Sequence, residues 1–425
     1  MEPLLQKDID GLNLDRSNWQ LVKFGDVAVQ QKQKVDRENT GLTRYVKGEH
    51  MLSEDLHLRE WGDLIDEYLG PAFIRKFEEG DILYGSRRTY LRKTTIAPFD
   101  GITSNTTFVI KANEKKINRR LLPFVMMSEG FTQHSIRNSK GSVNPYVNWK
   151  DLSGYEFLLP SEEQQAELAE LLWANDKLLE SQLSLLEASQ LFFNVEKSNV
   201  VLQGKGNQIE YSEVIKNKKA KNWVATSIGE LLKEKYLVQI QDGNHGELHP
   251  KSSDYIYDGV PFIMANTLND GEVDFLGCKK LPQALTDTLR IGFSIPGDIL
   301  LSHKGTVGEV AIVPDDIEWP YLMLSPQVTY YRVNAEKLSA KFLFFVLTSG
   351  YFQQQLKRIS FQSTRAYVGI TAQKNLKVVI PKTKNDQNQV VQLLLSTRKT
   401  ISGIKEAIGV TKLLRKQLIN QVFEA

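Results

Sequence analysis

Two glycine-containing loops hold the side chains of this sequence that are best suited to binding a polyanion. Residues 84–93 read Tyr-Gly-Ser-Arg-Arg-Thr-Tyr-Leu-Arg-Lys, which places four cations and two tyrosines within ten residues. Residues 301–306 read Leu-Ser-His-Lys-Gly-Thr. Lysine and arginine neutralise phosphates, arginine can donate two parallel hydrogen bonds to guanine, and asparagine or glutamine can pair with adenine in the same way. Taken singly, a basic loop of this kind is more often a solvated surface turn.

Polar and aromatic residues of other short segments extend this set of candidates. Asn105 is followed by two threonines, Gln327 follows Ser-Pro, and the segments Ser-Val-Asn-Pro-Tyr and Gln-Ser-Thr-Arg-Ala-Tyr end at Tyr146 and Tyr367. The residues predicted to contact nucleic acid are Arg87, Arg88, Tyr90, Arg92, Lys93, Asn105, Asn144, Tyr146, His245, His303, Lys304, Thr306, Gln327, Arg365 and Tyr367. No residue is predicted to be catalytic or to ligate a metal.

The sequence contains an internal duplication, and the two basic loops lie at matching places in the copies. Four pairs of short motifs recur in the same order, separated by 204, 217, 221 and 221 residues; they include Trp19 with Trp223, Gly80 with Gly297 (each followed by Asp-Ile-Leu), Val125 with Val346, and Pro160 with Pro381. A period near 220 residues is too long for a solenoid, so each copy is a domain-sized unit. Corresponding loops that differ in side chain favour two scaffolds that read two different sequences.

Each copy combines strand-like runs with helical patterns and ends in a long helix. Short apolar runs such as Phe108-Val-Ile and Val310-Ala-Ile-Val predict strands, and helical patterns at 119–128 and 340–347 make the class α+β. Beyond each proline of Leu-Leu-Pro160 and Val-Ile-Pro381, steps of three and four residues keep a period of 3.5, which is typical of a coiled-coil seam. The predicted seam residues are Ala169, Leu172, Asp176, Leu179, Leu183, Leu186, Gln190 and Phe193, then Val390, Leu394, Thr397, Ile401, Ile404, Ile408, Thr411, Arg415, Leu418 and Val422.

The resulting fold prediction is two similar globular α/β domains separated by two long antiparallel coiled-coil helices, a pseudo-two-fold internal repeat of α+β class. The predicted parts are domain 1 at 1–160, helix 1 at 161–203, a polar connector at 204–222, domain 2 at 223–381 and helix 2 at 382–425. Ordinary amphipathic core helices are the alternative to a helical pair. Two helices of nearly equal length at corresponding ends of a duplication favour the pair.

Familiar catalytic signatures are missing from the sequence. It contains neither a Gly-x4-Gly-Lys-Ser/Thr phosphate loop nor a Gly-x-Ser-x-Gly elbow. The pair His245 and His249 has zinc-like spacing, but Gly246 and Pro250 argue against the helix that would bring both rings to one face. The segment Asn144-Pro-Tyr lacks the second proline of the Asn-Pro-Pro-Tyr pattern of amino-methyltransferases, so a turn is the better interpretation. The sequence therefore predicts a binding protein.

Composition limits the kinds of protein that fit. Lys+Arg number 53 against 51 Asp+Glu, a formal net charge of +2 that is too small to indicate nucleic-acid binding without local basic patches. One cysteine, Cys278, excludes a disulfide framework and suits a reducing cytoplasm. No run of about 18 apolar residues predicts a membrane span, and the acidic N-terminal segment does not resemble a signal peptide.

The ordered, duplicated motifs resemble the specificity subunit of type I restriction–modification systems over residues 19–424. The matching segments are Trp19 and Trp223, the two Gly-Asp-Ile-Leu segments, Gly305 and Gly308, Gln241-Asp-Gly-Asn-His245, Gly259-Val-Pro-Phe-Ile263 and Leu158-Leu-Pro-Ser-Glu-Glu-Gln164. The second helix departs from this pattern because it begins with Asn385-Asp-Gln387. The first domain lacks both the Asp-Gly-x-His turn and the second glycine of its basic loop.

The resemblance implies a non-catalytic subunit whose two target-recognition domains each read one half of a bipartite site in double-stranded DNA. It implies that the helices set the spacer and dock two methyltransferase subunits, and that restriction–translocase subunits join the complex. It implies no cofactor in this chain, with S-adenosylmethionine and ATP/Mg on the partner subunits, and no membrane partner. The alternatives are a coiled-coil adaptor with two protein-binding heads and a self-contained DNA methyltransferase or nuclease.

Overall fold

A computed structural model of the chain describes residues 14–36, 39–66, 68–244, 249–361 and 366–423. Contacts within it divide the chain into two units. The first unit joins Met1–Ser184 with Lys405–Ala425, and the second unit is Leu185–Ile404. Both divisions fall inside the two long helices, so each unit contains a segment of each helix.

The described residues of the first unit form ten short strands and four short α-helices before the first long helix begins. Its strands are β1 (Gln20–Lys23), β2 (Ala28–Gln31), β3 (Arg44–Val46), β4 (Gly62–Asp63), β5 (Phe73–Phe77), β6 (Ile82–Gly85), β7 (Thr94–Ile96), β8 (Gly101–Ser104), β9 (Thr107–Ala112) and β10 (Glu156–Leu159). Its short helices are α1 (Phe24–Val27), α2 (Leu122–Met127), α3 (Glu129–Arg137) and α4 (Trp149–Leu152), followed by the long helix α5 (Glu162–Gln203).

These strands form two four-stranded sheets and one strand pair. The central sheet has the order β2-β9-β6-β7, with every neighbouring pair antiparallel. The second sheet has the order β4-β3-β8-β5, in which only β3 and β8 run parallel. Strands β1 and β10 pair antiparallel, so the start of the globular part is bonded to the strand that precedes the first long helix.

The second unit has corresponding elements and two additional hairpins. Its strands are β11 (Ile209–Ser212), β12 (Asn217–Ala220), β13 (Val224–Ser227), β14 (Leu237–Asp242), β15 (Val260–Ile263), β16 (Leu268–Asn269), β17 (Glu272–Val273), β18 (Lys279–Leu281), β19 (Phe293–Ser294), β20 (Ile299–Lys304), β21 (Thr306–Ile312), β22 (Leu322–Leu324), β23 (Val328–Val333) and β24 (Lys377–Ile380). Its helices are α6 (Ile228–Lys233), α7 (Gln283–Thr286), α8 (Ala340–Leu347), α9 (Gly350–Ser360), α10 (Ile370–Asn375) and the long helix α11 (Lys384–Phe423).

The second unit repeats the sheet topology of the first. Its central sheet has the order β14-β23-β20-β21, and its second sheet has the order β18-β15-β22-β19, again with one parallel pair, β15 and β22. Strands β13 and β24 correspond to β1 and β10. The repeated position of the single parallel pair confirms the predicted duplication of one α+β domain.

The central strands of both units are buried on both faces. In the first unit Ile82 contacts the core formed with the helices, whereas its neighbour Leu83 contacts the core between the two sheets. In the second unit Ile299 and Leu300 divide in the same way. A strand with two covered faces reads as a continuous apolar run. This double burial explains why Asp-Ile-Leu recurs unaltered in the two copies.

The aspartate of each Gly-Asp-Ile-Leu segment stabilises the turn before its strand. Asp298 is 1% exposed, and Oδ2 accepts a hydrogen bond from the Ile295 N–H at 2.9 Å and another from Arg332 Nη2 at 2.7 Å. In the first unit Asp81 accepts the Glu78 N–H at 2.8 Å but lies 3.5 Å from Lys111. Burial raises the pKa of Asp81, because one distant lysine compensates the buried carboxylate only in part.

The region predicted as a polar connector contains a hairpin. Strands β11 and β12 pair antiparallel, with Ile209 opposite Ala220. The ammonium of Lys219 lies beneath the hairpin, where it donates hydrogen bonds to the Ala220 and Trp223 carbonyls at 3.0 and 2.8 Å. The carboxylate of Glu210 lies 2.6 Å from the same ammonium, so this buried cation of the Lys-Asn-Lys-Lys-Ala-Lys segment is fully paired.

One glutamine fixes the first turn of each long helix to its globular part. The Gln165 Oε1 atom accepts the Asn118 N–H at 2.7 Å, and the Gln387 Oε1 atom accepts the Ser339 N–H at 2.8 Å. The start of α5 packs with the end of α11 in the first unit, and the end of α5 packs with the start of α11 in the second. Antiparallel helices pair their ends in this way.

The predicted seam is buried more completely in the first unit than in the second. Asp176, Leu179 and Leu418 are buried, whereas Gln190 is exposed and Phe193 is half-buried. Small residues of the two helices in the second unit leave a groove of about 410 Å³, which is lined by Ala188, Ser189, Phe192, Ser396, Thr397, Thr400 and Ile401. The 3.5-residue period therefore predicted the seam but not how tightly it closes.

A buried ion pair replaces apolar contact at one level of the seam in the first unit. Arg415 Nη1 lies 3.2 Å from Asp176 Oδ1, and Arg415 Nη2 donates a hydrogen bond to the Glu54 carbonyl at 2.7 Å. His57 Nε2 contacts Asp176 Oδ2 at 2.7 Å. A polar pair at a seam position fixes the register of two helices, because a shifted register would bury both charges without partners. Here the pair also attaches the loop at 54–57 to both helices.

The first prediction concerns Asp298→Asn and its counterpart Asp81→Asn. We expect Asp298→Asn to lower the free energy of unfolding by about 2–3 kcal/mol, because Arg332 loses a buried, charge-assisted partner. Asp81→Asn should cost less, since the pKa of Asp81 is already raised by incomplete compensation. Denaturant unfolding of both variants measures the difference. Equal losses would contradict the assigned role of Arg332.

The second prediction concerns the pH dependence of His57→Gln. Asp176 raises the pKa of His57, chiefly through their hydrogen bond, so the protonated imidazole stabilises the fold below about pH 6.5. That stabilisation is lost as the pH rises through the raised pKa of the folded state. Unfolding measurements should therefore show a loss of about 0.5–1 kcal/mol at pH 5.5 and almost none at pH 9.

Arg59→Gln is the matched control for this measurement. Arg59 pairs with Asp55 and Glu180 in the same cluster but stays protonated over the whole range. Its substitution should lower stability by a similar amount at both pH values. A pH-independent effect of His57→Gln would show that the imidazole acts by packing alone.

Candidate nucleic-acid interface

Three segments that are distant in sequence meet beside the end of strand β6 in the first unit. The Ser86 N–H donates to the Thr106 carbonyl at 3.1 Å, and the Val147 N–H donates to the Ser86 carbonyl at 2.9 Å. Arg87 and Tyr146 form a β-bridge beside these bonds. The basic loop, the segment after Asn105 and the segment ending at Tyr146 therefore form one surface.

The Asn-Pro-Tyr segment forms the closed end of a short loop, as the sequence predicted. Tyr146 and Lys140 exchange two backbone hydrogen bonds of 2.8 and 2.9 Å, which close a loop whose tip carries Asn144. The Arg88 N–H also donates to the Pro145 carbonyl at 2.6 Å. Asn144 and Tyr146 are exposed on this loop.

Three corresponding segments meet beside the end of strand β20 in the second unit. The His303 N–H donates to the Gln327 carbonyl at 2.8 Å, and the Val368 N–H donates to the His303 carbonyl at 2.9 Å. Lys304 and Tyr367 form the β-bridge, and the Gly305 N–H donates to the Ala366 carbonyl. The hydrogen-bonded framework is thus the same as in the first unit.

The side chains attached to this shared framework differ between the units. The common bonds align Arg87 with Lys304, Thr106 with Gln327, and Ser86 with His303, while a tyrosine is retained at 146 and 367. We refer to the two clusters as the first and second loop surfaces. The first consists of residues 86–90, 105–106 and 144–147, and the second of residues 303–306, 327 and 366–368.

Arg88 adopts a backbone conformation that ordinarily favours glycine. Its φ is 50°, and Gly305, which makes the equivalent backbone bond in the second unit, has φ 81°. A left-handed conformation costs a non-glycine residue about 1–2 kcal/mol. The first unit therefore retains an exposed guanidinium at this position despite backbone strain, whereas the second unit lacks the side chain altogether.

Most of the remaining candidates are exposed on these surfaces, but three are engaged in other contacts. Tyr90, Asn105, Lys304, Thr306 and Tyr367 are exposed, and Gln327 is half-buried. Arg92 is held between the carboxylates of Glu54 and Glu129. The Lys93 ammonium donates to the Gly48 carbonyl at 2.5 Å, and His303 is buried beneath Tyr367, with ring centroids 5.6 Å apart. His245 and Arg365 lie outside the described residues.

Two residues that support these surfaces carry no recognisable signal in the sequence. Lys140 closes the Asn-Pro-Tyr loop through its backbone, and its ammonium lies 3.1 Å from Asp151, which lowers the pKa of that carboxyl group. Gln373 is fully buried behind the second loop surface, where it makes three side-chain hydrogen bonds. A single glutamine in a six-residue helix has no periodicity that would have marked it.

The described part of the chain lacks two other kinds of functional feature. Within it, no three histidine, cysteine or carboxylate side chains lie close enough to hold a metal ion together. None of its helices has the length and hydropathy of a membrane span.

The fold and the two loop surfaces define a protein that carries two copies of one α+β binding module. A family model for the type I restriction modification DNA specificity domain matches the chain twice, at residues 16–188 and 220–408. Because these matches cover most of its length, the chain belongs to the family of type I restriction–modification specificity subunits, with two target-recognition domains. The repeated topology and the family match agree on the same duplication.

Two relatives and two solved structures agree with this assignment. The specificity subunit of type I restriction enzyme MjaVIII from Methanocaldococcus jannaschii is 23% identical over 403 residues, covering 88% of this chain and 85% of that protein. The specificity subunit of type I restriction enzyme EcoDI from Escherichia coli is 28% identical over 174 residues, which cover 40% of this chain and 38% of that protein. A solved chain from a structural study of complex assembly and conformational transition of the type I R-M system has a similar fold, with a TM-score of 0.63 and 18% sequence identity. The match covers 96% of this chain and 97% of that chain. The S subunit of a type I restriction-modification system from M. genitalium matches with a TM-score of 0.52 and 12% sequence identity, and the match covers 97% of this chain and 98% of that chain.

The third prediction uses Arg88→Gly to separate binding from folding. Glycine adopts the left-handed conformation without steric cost, so we expect stability to change by less than about 1 kcal/mol. DNA affinity of the assembled complex should fall, and the slope of log affinity against log salt should flatten by about 0.9 if Arg88 neutralises one phosphate. Titration of labelled DNA at several salt concentrations measures both.

Arg92→Gly provides a control with the same backbone change. Arg92 has φ 49°, but its guanidinium is engaged by Glu54 and Glu129. We expect this variant to lose stability and to retain the wild-type salt slope. If the two variants lost DNA affinity equally, the first loop surface would not be the contact surface.

Proposed function

We propose that each globular domain reads one half of a bipartite site in double-stranded DNA, as a DNA-binding subunit of a type I restriction–modification complex. The observation that carries this proposal is the shared backbone framework of the two loop surfaces with different side chains at equivalent positions. A common framework orients both surfaces alike towards a duplex, and the side chains then determine which bases each prefers.

The chemistry of the two loop surfaces suits different half-sites. The first offers the guanidinium groups of Arg87 and Arg88, which can donate to guanine or to phosphate. The second offers Lys304, Thr306 and Gln327, of which the glutamine can pair with adenine. Tyr90, Tyr146 and Tyr367 add exposed rings that can contact thymine methyl groups or the sugar backbone.

We assign to the two long helices the roles of setting the spacer and docking two methyltransferase subunits. Each helix enters both units as one continuous segment of 42 or 40 residues, which suits a rigid connection. In the second unit, α5 exposes Leu185, Leu191, Phe192 and Val195. Exposed apolar side chains grouped on one helix are typical of a protein–protein contact.

We further propose that this chain has no catalytic activity and binds no cofactor of its own. S-adenosylmethionine would then be bound by the methyltransferase subunits, and ATP with magnesium by restriction–translocase subunits. The resemblance to specificity subunits supports this division of labour. Since the DNA target is chromosomal or invading DNA, we expect the complex to act in the cytoplasm.

The small net charge supports a role within a complex. With 53 Lys+Arg against 51 Asp+Glu, the chain as a whole attracts a polyanion only weakly, and attraction depends on local basic patches. Phosphate contacts supply much of the affinity of DNA-binding proteins. We therefore expect weak DNA binding by the isolated chain, and much tighter binding once partner subunits enclose the duplex.

The fourth prediction is that exchanging residues 19–160 for the equivalent domain of another specificity subunit alters one half-site only. The measurement is the methylation pattern that the assembled methyltransferase leaves on a randomised DNA library. Exchange of residues 223–381 is the reciprocal variant and should alter the other half-site. A change in both halves after either exchange would contradict independent reading.

The same assay tests the absence of catalysis. The purified chain, incubated with S-adenosylmethionine and the library but without methyltransferase subunits, should transfer no methyl groups. Turnover by the chain alone would support a self-contained methyltransferase. Indifference of the assembled complex to DNA sequence would support a protein adaptor.

A further inference from the structure

The second loop surface rests on a buried network of polar side chains. Asp242, His303, Thr329, Tyr331 and Gln373 lie behind the surface, and all five are buried. They come from three strands of the central sheet and from helix α10. Buried polar groups are costly unless they are hydrogen-bonded, so a network in this position calls for a specific role.

Gln373 is the centre of the network. Its Oε1 accepts a hydrogen bond from the Tyr331 hydroxyl at 2.5 Å, and its Nε2 donates to Thr329 Oγ1 at 3.0 Å and to the Val368 carbonyl at 2.8 Å. Both amide protons are therefore used in defined directions. Burial, with a further contribution from Asp242, raises the pKa of Tyr331, so its hydroxyl remains a donor at neutral pH.

A second branch of the network reaches the loop through Asp242. The Thr329 hydroxyl donates to Asp242 Oδ1 at 2.6 Å, and His303 Nε2 lies 3.5 Å from the same oxygen. The His303 carbonyl accepts the Val368 N–H, so both branches converge on Val368. The ring of Tyr367, immediately before Val368, lies over the imidazole of His303.

Three positions of this network hold apolar residues in the first unit, where Ser86 takes the place of His303. In the second unit, Leu301 pairs with Thr329 and Ile299 pairs with Tyr331. In the first unit, Tyr84 pairs with Phe108 and Ile82 pairs with Ile110. Strand register therefore aligns Thr329 with Phe108 and Tyr331 with Ile110. Leu152 occupies the place of Gln373, four residues after Asn148 begins the equivalent helix turn. The module therefore folds around apolar side chains at these positions, and the polar network is an addition of the second unit.

We propose that the network centred on Gln373 is a positioning device for base recognition by the second domain. It fixes the backbone of residues 366–368 and, through it, the placement of Tyr367 and Lys304 on the DNA-facing surface. His303 is then a positioning residue and not a DNA ligand. The inference rests on the proposed function, because it explains how the second domain reads its half-site accurately.

Physical reasons favour a polar device at this position. Hydrogen bonds have narrow preferred distances and angles, whereas apolar contacts tolerate small shifts. A loop held by the Gln373 amide and the His303 carbonyl is restrained in two directions at once. Placement errors of an ångström are enough to weaken paired hydrogen bonds to a base edge.

The test combines Gln373→Leu, Thr329→Val and Tyr331→Phe in one variant. The first unit shows that the fold accepts apolar residues at these three positions. Asp242 Oδ1 and the Val368 carbonyl lose their donors in this variant, so we also expect a loss of stability, which the control below matches. In the assembled methyltransferase, we expect at least tenfold weaker discrimination of the second half-site, with the first half-site unchanged. Hydrogen exchange of the Val368 amide, measured without DNA, should become at least tenfold faster.

Two further variants make the result interpretable. Gln373→Glu keeps the shape and the acceptor but removes the donors to Thr329 and Val368, so it should reproduce the loss at the second half-site. Leu356→Val removes a buried methylene from the same core on helix α9, which carries no residue of the network, and so lowers stability. It should leave discrimination and Val368 exchange unchanged.

The possible outcomes separate this inference from the proposed function. Unaltered second-half discrimination in the triple variant, with a folded protein, would overturn the inference while leaving bipartite reading intact. Equal losses in the triple variant and in Leu356→Val would overturn it too, because stability alone would then explain both. A wild-type complex that shows no half-site discrimination would instead contradict the proposed function.

Discussion

The burial of both faces of the central sheet is the constraint on which the rest of each unit depends. One face packs against helices and the other against the second sheet, so side chains in the middle of the strands are committed to two cores. In the two central strands of each described sheet, the ends and the loops beyond them are the parts that remain available to contact another molecule. In both units the loop surface lies beside the end of the strand that begins Asp-Ile-Leu, where the last strand residues form bridges to a tyrosine segment.

Local placement, and not total charge, determines where these units can bind a polyanion. The chain is nearly neutral, and several of its cations are paired internally: Arg92 with two glutamates, Arg332 with Asp298, and Arg415 with Asp176. Arg87 and Arg88, by contrast, are exposed on the loop surface. A count of basic residues in the loop at 84–93 therefore overstates the charge that is free to meet phosphate.

Buried polar groups restrain a loop in both units, but they lie at different places in the two. In the first unit, Asp176, Arg415 and His57 connect a loop to both long helices. In the second unit, a groove occupies part of the helix seam, and the buried polar groups lie behind the loop surface instead. Duplication of a module supplies a common framework, and later substitutions can restrain one part of each copy without rebuilding the fold.

The sequence by itself determined the duplication, the α+β class and the two long helices. Apolar periodicity and repeated turn residues are local signals, and each segment carries its own. The sequence also located the loops, because glycine and clustered cations are visible without a fold. Its list of candidates could not distinguish exposed Arg87 from engaged Arg92, or surface Lys304 from buried His303.

Only the tertiary structure decided those roles, because each depends on residues far away in sequence. Arg92 is engaged by Glu54 and Glu129, and His303 is covered by Tyr367. Gln373 gave no signal at all, since its importance comes from Thr329 and Tyr331 on a strand more than forty residues earlier. Short-range pattern fixes which elements form, whereas hydrogen bonds and ion pairs across the chain decide which side chains remain free to act.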